Sequence, residues 1–330
     1  NFNSTLYQLL TANTNTNINL YFISRHYRLP STSPTAASAS SASVTTLANG
    51  LTIVSENASS TSTISLTFPN AGSASESISE SGASLANKYM AFKSGSGLSS
   101  AVICRNIESD GATPFVNASR TGTTVGYTAS RDKALRLVPL LATNSSFEKW
   151  DCVDAKKFVK IEVDNANASA QTVLTESVYA AAYGGQSAMG KSFYSSSATR
   201  ASIMSFRQHA YGLHGAVLSA TGIDDHAAFV KAVEEGFSES SVGSPLKLAS
   251  SVFLGGETRV HAPAGYTHLA LAFEAAGKSP LMNVVKQCIT IANGEAGLSG
   301  FTAEGIVGVY GGSAPSDAAS VTDALVKAIT

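Results

Sequence analysis

The chain has 330 residues (33.9 kDa) with 22 basic and 23 acidic side chains, a formal charge of −1, and so lacks the basic excess or stripe that nucleic-acid binding requires. Charged residues make up 14% of it, against about 25% in an average soluble protein, while the 44% apolar share suffices for a large core. Three scattered cysteines (Cys104, Cys152, Cys288) exclude a disulfide framework and any Cys-x-x-Cys pair, and no apolar run approaches the roughly 18 residues of a membrane span.

Residues 1–45 read as a transit-like or disordered N-terminal extension. No Asp or Glu precedes Glu56, Asn-Thr repeats give way to Arg25, His26 and Arg28, and a run of small residues follows from Ser31 to Ser43. A first domain over residues 46–247 then alternates strands and helices. Leu51–Ser55 is a strand, and Ile64, Leu66 and Phe68 alternate with Ser65 and Thr67 in the manner of a half-buried strand ended by Pro69-Asn70-Ala71-Gly72. Ser84–Lys93 reads as a helix with Leu85, Tyr89 and Phe92 on one side. Gly122–Ser130 reads as a strand, and Ala134–Thr143 as a helix with Pro139 in an early turn or at a kink. Val173–Tyr183 carries an apolar helical stripe stopped by Gly184-Gly185, and Ala216–Ala220 is a strand. Asp224 caps a helix whose inner face is Phe229, Val230, Val233 and Phe237.

The pattern restarts in residues 248–330. Thr258–His261 and His268–Phe273 read as a strand pair, and Leu271-Ala-Phe-Glu-Ala-Ala-Gly277 echoes Leu66-Thr-Phe-Pro-Asn-Ala-Gly72 at a distance of 205 residues. A helix over Leu281–Ala292 follows the second motif, as one follows the first. Val307-Gly308-Val309-Tyr310, followed by a helix over Val321–Thr330, echoes Val125-Gly126-Tyr127 and its helix. The common order implies an internal duplication, hence an α+β fold of tandem α/β sandwich domains with an incomplete second copy.

Gly185–Ser192 (GQSAMGKS) fits the G-x4-G-K-S pattern of a phosphate loop, which requires a buried strand before it and a helix N-terminus after it. Here the preceding segment has helical period, and Phe193–Thr199 has no apolar stripe, so the context opposes an NTP site. The six histidines form no His-Glu-x-x-His or His-x-x-Glu-His, no G-x-S-x-G elbow occurs, and Asp224-Asp225-His226 reads as an acidic helix start. The cysteines are expected as small buried side chains, and Trp150, the single tryptophan, fits a core or an interface.

Leu47–Ser55, the strand ending at Ala71-Gly72-Ser73 and the segment Gly82–Lys93 (GASLANKYMAFK) together resemble the N-terminal part of the mitochondrial processing peptidase and core protein family, which is pitrilysin-like. Active members carry His-x-x-Glu-His on the helix before Met-Ala-Phe-Lys, two His binding zinc and the Glu activating water. The resemblance puts Leu85, Lys88 and Tyr89 at those positions, so both ligands and the base are replaced, and Glu162, near a third ligand position, is left with nothing to complete. It therefore implies no catalytic residue, metal or cofactor.

Phe147–Trp150, Lys160–Glu162, Gln171–Tyr183 and Gly255–Glu257 most resemble the core-2 branch of ubiquinol–cytochrome c reductase (complex III). That implies a structural subunit on the matrix side of the mitochondrial inner membrane, packed on core subunit 1, cytochrome b, cytochrome c1 and the Rieske subunit in a dimeric complex. It also implies a chain running on for about another hundred residues. The alternative within the family is the zinc-motif-lacking α subunit of the processing peptidase, whose glycine-rich loop has Gly294–Gly300 as its nearest equivalent here. The remote alternative is an NTP-binding protein through Gly185–Ser192.

Overall fold

A computed structural model describes residues 42–142, 145–238, 240, 242–243, 251–260, 265–275, 280–293 and 298–327. The alternation at Ile64, Leu66 and Phe68 becomes strand β3 (Ser62–Pro69), with those side chains at most 5% exposed. Around it lie β1 (Ser43–Thr46), β2 (Thr52–Glu56), β4 (Thr113–Ala118), β5 (Gly122–Ala129) and β6 (Val217–Thr221), in the order β1-β2-β6-β3-β5-β4. β2 and β6 run parallel and the other neighbours antiparallel. The hydroxyl face of β3 is paired across the sheet: Thr63 meets Thr128, Ser65 meets Ser219 and Thr67 meets Thr124, each at 3.0 Å. A sequence rich in Ser and Thr thereby satisfies its polar sheet face without charges. β1 starts at Ser43, inside the segment read as an extension.

The opposite face of this sheet is covered by three helices: α3 (Val138–Ala142), α6 (Arg200–Ala210) and α7 (His226–Gly236). Leu137, Val138, Phe206, Phe229 and Val233 pack there on Ile53, Leu66 and Leu218 in the main core. Each such side chain contributes about 1.5–3 kcal/mol by burial. The 134–143 segment divides before Val138 into a 3-10 turn (Ala134–Leu137) and α3, whose first turn holds Pro139, where no N–H is needed; Thr143 lies outside the described residues. The cap of α7 is Asp225, not Asp224: its carboxylate accepts from Ala227 N and Ala228 N, while Asp224 bonds Asn57 and Arg131.

A second cluster joins α1 (Ala83–Met90) to α4 (Lys149–Ala168) and α6, through Leu85, Met90, Ala155, Val159 and Ile203. α2 (Ser100–Ser109) follows α1. Phe92, expected on the α1 face, lies beyond the helix end, with φ +56°. α5 (Ala170–Tyr183) follows α4 directly and stops at Gly184, φ +81°.

The second sheet has the order β7-β9-β8, from β7 (Thr267–Glu274), β8 (Leu298–Ala303) and β9 (Ile306–Ser313), antiparallel throughout like β3-β5-β4. The repeat extends to a packing detail. Gly126 lies opposite Phe115 and Gly308 opposite Phe301; a Cβ on either glycine would come within 2.9 Å of that ring. Each glycine leaves room for the phenylalanine of the neighbouring strand to lie over the backbone. α8 (Pro280–Asn293) follows β7, and α9 (Ala318–Lys327) follows β9 and covers it through Leu325 and Val321; residues 328–330 lie outside the described residues. Among the described residues the second unit has no counterpart of β1, β2 or β6.

Thr258–Val260, expected to pair with His268–Phe273, is not a strand, and His261 lies outside the described residues. β7 pairs with β9 instead, while the 251–260 segment crosses the end of α5. There Leu254 N (2.7 Å) and Gly255 N (3.2 Å) donate to Ala182 O, and Phe253 meets Tyr183 edge to face. The orphan carbonyl at the helix C-terminus is thereby satisfied. No described helix is long and apolar enough to cross a membrane.

Candidate functional site

α1 has no capping side chain of its own. Its N-cap is Gly82, at φ +79°, where a Cβ would lie 2.4 Å from Ser195 O. Glu76, from the preceding loop, supplies the acceptor: Gly82 N donates to Oε2 at 2.9 Å and Ser84 N to Oε1 at 2.6 Å. Burial pushes the Glu76 carboxyl up to about 7, against those two N–H groups and Lys191, which pull it down. Nearby Glu80 is held below the usual carboxylate range: burial would raise it, but Ser205, Ser77 and His209 bond its oxygens and outweigh that.

α1 presents Lys88 and Tyr89 to α4. Lys88 Nζ donates to both oxygens of Glu162, at 2.8 and 2.9 Å, and Tyr89 OH donates to Oε2 at 2.5 Å. Lys88 and Glu162 are about one quarter exposed. Burial, reinforced by Glu162, raises the Tyr89 hydroxyl, so it keeps its proton and remains a donor. Phe158, one turn before Glu162, stacks on the Tyr89 ring at 5.6 Å. Leu85, one turn earlier on the same face, is fully buried in the second cluster, against which Tyr89 also packs. Glu162, which the sequence reading left with no metal site to complete, is bound instead to Lys88 and Tyr89. It is neutralised by an ammonium and a phenol, because a lysine at position 88 is long enough to span the gap between the helices.

The arrangement offers no activated water and no ligand set: one carboxylate is already occupied by a cation and a hydroxyl. Among the described residues no group of three His, Cys, Asp or Glu side chains is placed to hold a metal ion.

A second polar cluster adjoins the first. Arg120, in the β4–β5 turn, is 8% exposed and pairs with Glu176 of α5 at 2.8 Å. Its guanidinium lies 3.9 Å over the Tyr179 ring. Tyr179 OH donates to Glu304 O and Thr121 to the Glu304 carboxylate, so this cluster ties the β8–β9 turn to the first unit. The sequence reading missed Arg120, because an arginine in a polar hairpin turn carries no signal of its burial.

Gly185–Ser192 is preceded by helix α5, and the next helix begins only at Arg200. Lys191 Nζ donates to Glu76 O at 2.8 Å, Ser192 Oγ and Phe193 N to Glu176 (both 2.9 Å), and Gly190 N to Ser187 Oγ. The Lys191 and Ser192 side chains of the loop thus donate inside the protein, and no helix N-terminus follows the loop directly.

The remaining sequence candidates are dispersed. His209 bonds Glu80, His226 bridges Thr45 and Ser55, and His268 meets Tyr310. Cys152 is buried as expected, but Cys104 and Cys288 are exposed; Cys104 donates instead to Glu108, one turn along α2. Trp150 is 63% exposed.

Comparison with known proteins places these features. Residues 52–194, from β2 past the polar loop, match the family model of insulinase (peptidase family M16). The chain carries a pitrilysin-like peptidase M16 domain. Among curated relatives, the α subunit of the mitochondrial-processing peptidase of Solanum tuberosum is 31% identical over 71% of this chain and 47% of that protein. Human cytochrome b-c1 complex subunit 2 is 29% identical over 70% of this chain and 52% of that protein. The chain thus spans about half the length of the curated relatives it matches. A chain in the solved structure of complex III2 from Candida albicans with Inz-5 bound superposes with a TM-score of 0.67 at 18% identity, covering 82% of this chain and 72% of that one. At that identity the likeness concerns the fold.

Proposed function

We propose that this chain is a non-catalytic core subunit of mitochondrial ubiquinol–cytochrome c reductase (complex III), peripheral on the matrix side of the inner membrane. In this reading its neighbours are core subunit 1, cytochrome b, cytochrome c1 and the Rieske subunit, and its contribution is assembly rather than chemistry. The observation that carries the non-catalytic part is the bonding of Lys88 and Tyr89 to Glu162. If α1 is the helix that bears the zinc motif in active relatives, an ammonium occupies the place of the metal ion and satisfies the carboxylate that would have bound it. A fixed cation of this kind supplies no exchangeable water to attack a peptide bond.

The relation to cytochrome b-c1 complex subunit 2 supports the complex III assignment. The equally near relation to processing-peptidase α subunits supports a second reading, a zinc-lacking α-type partner of a catalytic subunit. Native gel separation with mass spectrometry decides between them. Co-migration with cytochrome b and cytochrome c1 is the result expected, and migration apart from every respiratory complex sinks it. Presequence cleavage restored to a zinc-bearing partner by this chain alone establishes the second reading.

A further inference from the structure

The outward face of α4 is unlike that of any other described helix. It exposes four large apolar side chains, Trp150 (63%), Val153 (53%), Phe158 (49%) and Ile161 (55%), whereas no other described helix exposes more than one. Lys149, Lys156, Lys157 and Lys160 are exposed on the same helix. At 3.6 residues per turn, Trp150, Ile161 and Phe158 form an apolar stripe along the Tyr89 side of the helix. Lys149, Lys156 and Lys160 form a basic stripe beside it, with Val153 and Lys157 between. From Trp150 to Ile161 the stripe is about 16 Å long. The acidic side chains on this face are Asp154, which lies between Ile161 and Phe158 and accepts from Lys157 at 3.0 Å, and Asp164. Four lysines therefore face two carboxylates in a chain whose overall charge is −1.

A solvated helix face has no use for four exposed apolar side chains, and a purely electrostatic one has no use for its only tryptophan. We propose that the outward face of α4 docks an acidic amphipathic helix of a partner protein, its apolar edge on Trp150, Ile161 and Phe158 and its carboxylates on the lysine stripe. Charge complementarity selects that occupant. A bilayer fits less well: Asp154 and Asp164 would be pressed against lipid phosphates, and the buried inner face of α4 prevents the helix from sinking into the interface. The proposal stands whichever complex the chain belongs to.

Because Trp150 is the single tryptophan, the emission of the unmodified full chain reports on this face. Titration with an 18-residue helical peptide bearing leucines flanked by glutamates should shift the emission to the blue with saturation. Affinity should fall steeply with salt and drop about tenfold in the Lys156→Glu/Lys160→Glu variant, whose circular dichroism should match that of the parent. An equal response to the lysine version of the peptide, a response only to phosphatidylcholine–phosphatidylglycerol vesicles, or none at all overturns the proposal. In cells, a photo-crosslinking amino acid at Val153 should capture a segment with helical apolar period and a net negative charge. Capture of a basic segment, of lipid alone or of nothing counts against it.

Discussion

Lys88 Nζ lies 2.8 Å from Glu162 Oε1, joining the last turn of α1 to α4 across the candidate site. Both groups are about a quarter exposed, so solvent weakens the pair, and its value rests on the added Tyr89 bond. Lys88→Met should cost about 1 kcal/mol in urea unfolding, and adding Glu162→Leu should cost less than the sum of the single changes. Additive effects would show that the three groups do not act as a unit.

Rebuilding the motif should separate geometry from packing. In Leu85→His/Lys88→Glu/Tyr89→His the new imidazole at 85 enters a fully buried apolar site, so the variant should lose about 2–4 kcal/mol without metal. Zinc should recover part of that loss, read as a rise in Tm that the parent chain does not show. No zinc-dependent rise in the variant would argue that α1 and Glu162 are not arranged like an active relative's site.

Glu76 should make stability depend on pH. Its folded value, about 7, lies above the 4.5 of a free carboxyl, so the folded state holds the proton more tightly. That stabilisation is complete below about pH 4.5 and is lost as the pH rises to about 7, a total of about 3 kcal/mol. The difference in unfolding free energy between the parent and Glu76→Gln should therefore change across that window and be flat above it. A difference independent of pH would contradict the assigned burial.

Arg120→Ala should be severe, because it leaves the Glu176 carboxylate largely buried and uncovers Tyr179. A loss of about 3–5 kcal/mol is expected, with earlier proteolysis of the β8–β9 turn. Arg120→Lys should rescue little, since an ammonium cannot stack on the ring and donate to Met189 O and Lys191 O together.

Lys191→Ala should lower Tm modestly by removing the bond to Glu76 O, and calorimetry with magnesium ATP should give no binding heat for parent or variant. Measurable heat lost in the variant would revive a nucleotide site.

The elements legible in the sequence were those with a local signal. β3 was legible because alternation fixes which side chains a strand buries, and α5 because its apolar stripe ends at a glycine that can take positive φ. The duplication was legible because each repeat must bury the same sheet face, so the same apolar spacing returns 205 residues on. β1, α2, β4, α4, α6 and β8 were not legible, because none carries a local signal that sets it apart from its neighbours.

The sequence by itself determined the strands and helices with a clear apolar period, the repeat and the substitution at 85, 88 and 89, because these depend on residue type and spacing along one chain. Only the tertiary structure decided what Lys88 does. Its partner lies 74 residues away on α4, and no local pattern tells whether a lysine reaches solvent or a carboxylate. The same holds for Arg120, buried by an aromatic ring of a later helix, and for the 251–260 segment, whose Leu254 and Gly255 N–H groups bind the carbonyl at the end of α5. In each case the deciding interaction is a non-local competition for a hydrogen-bond or ion-pair partner, which the fold settles by bringing one competitor within 3 Å or so and not the other.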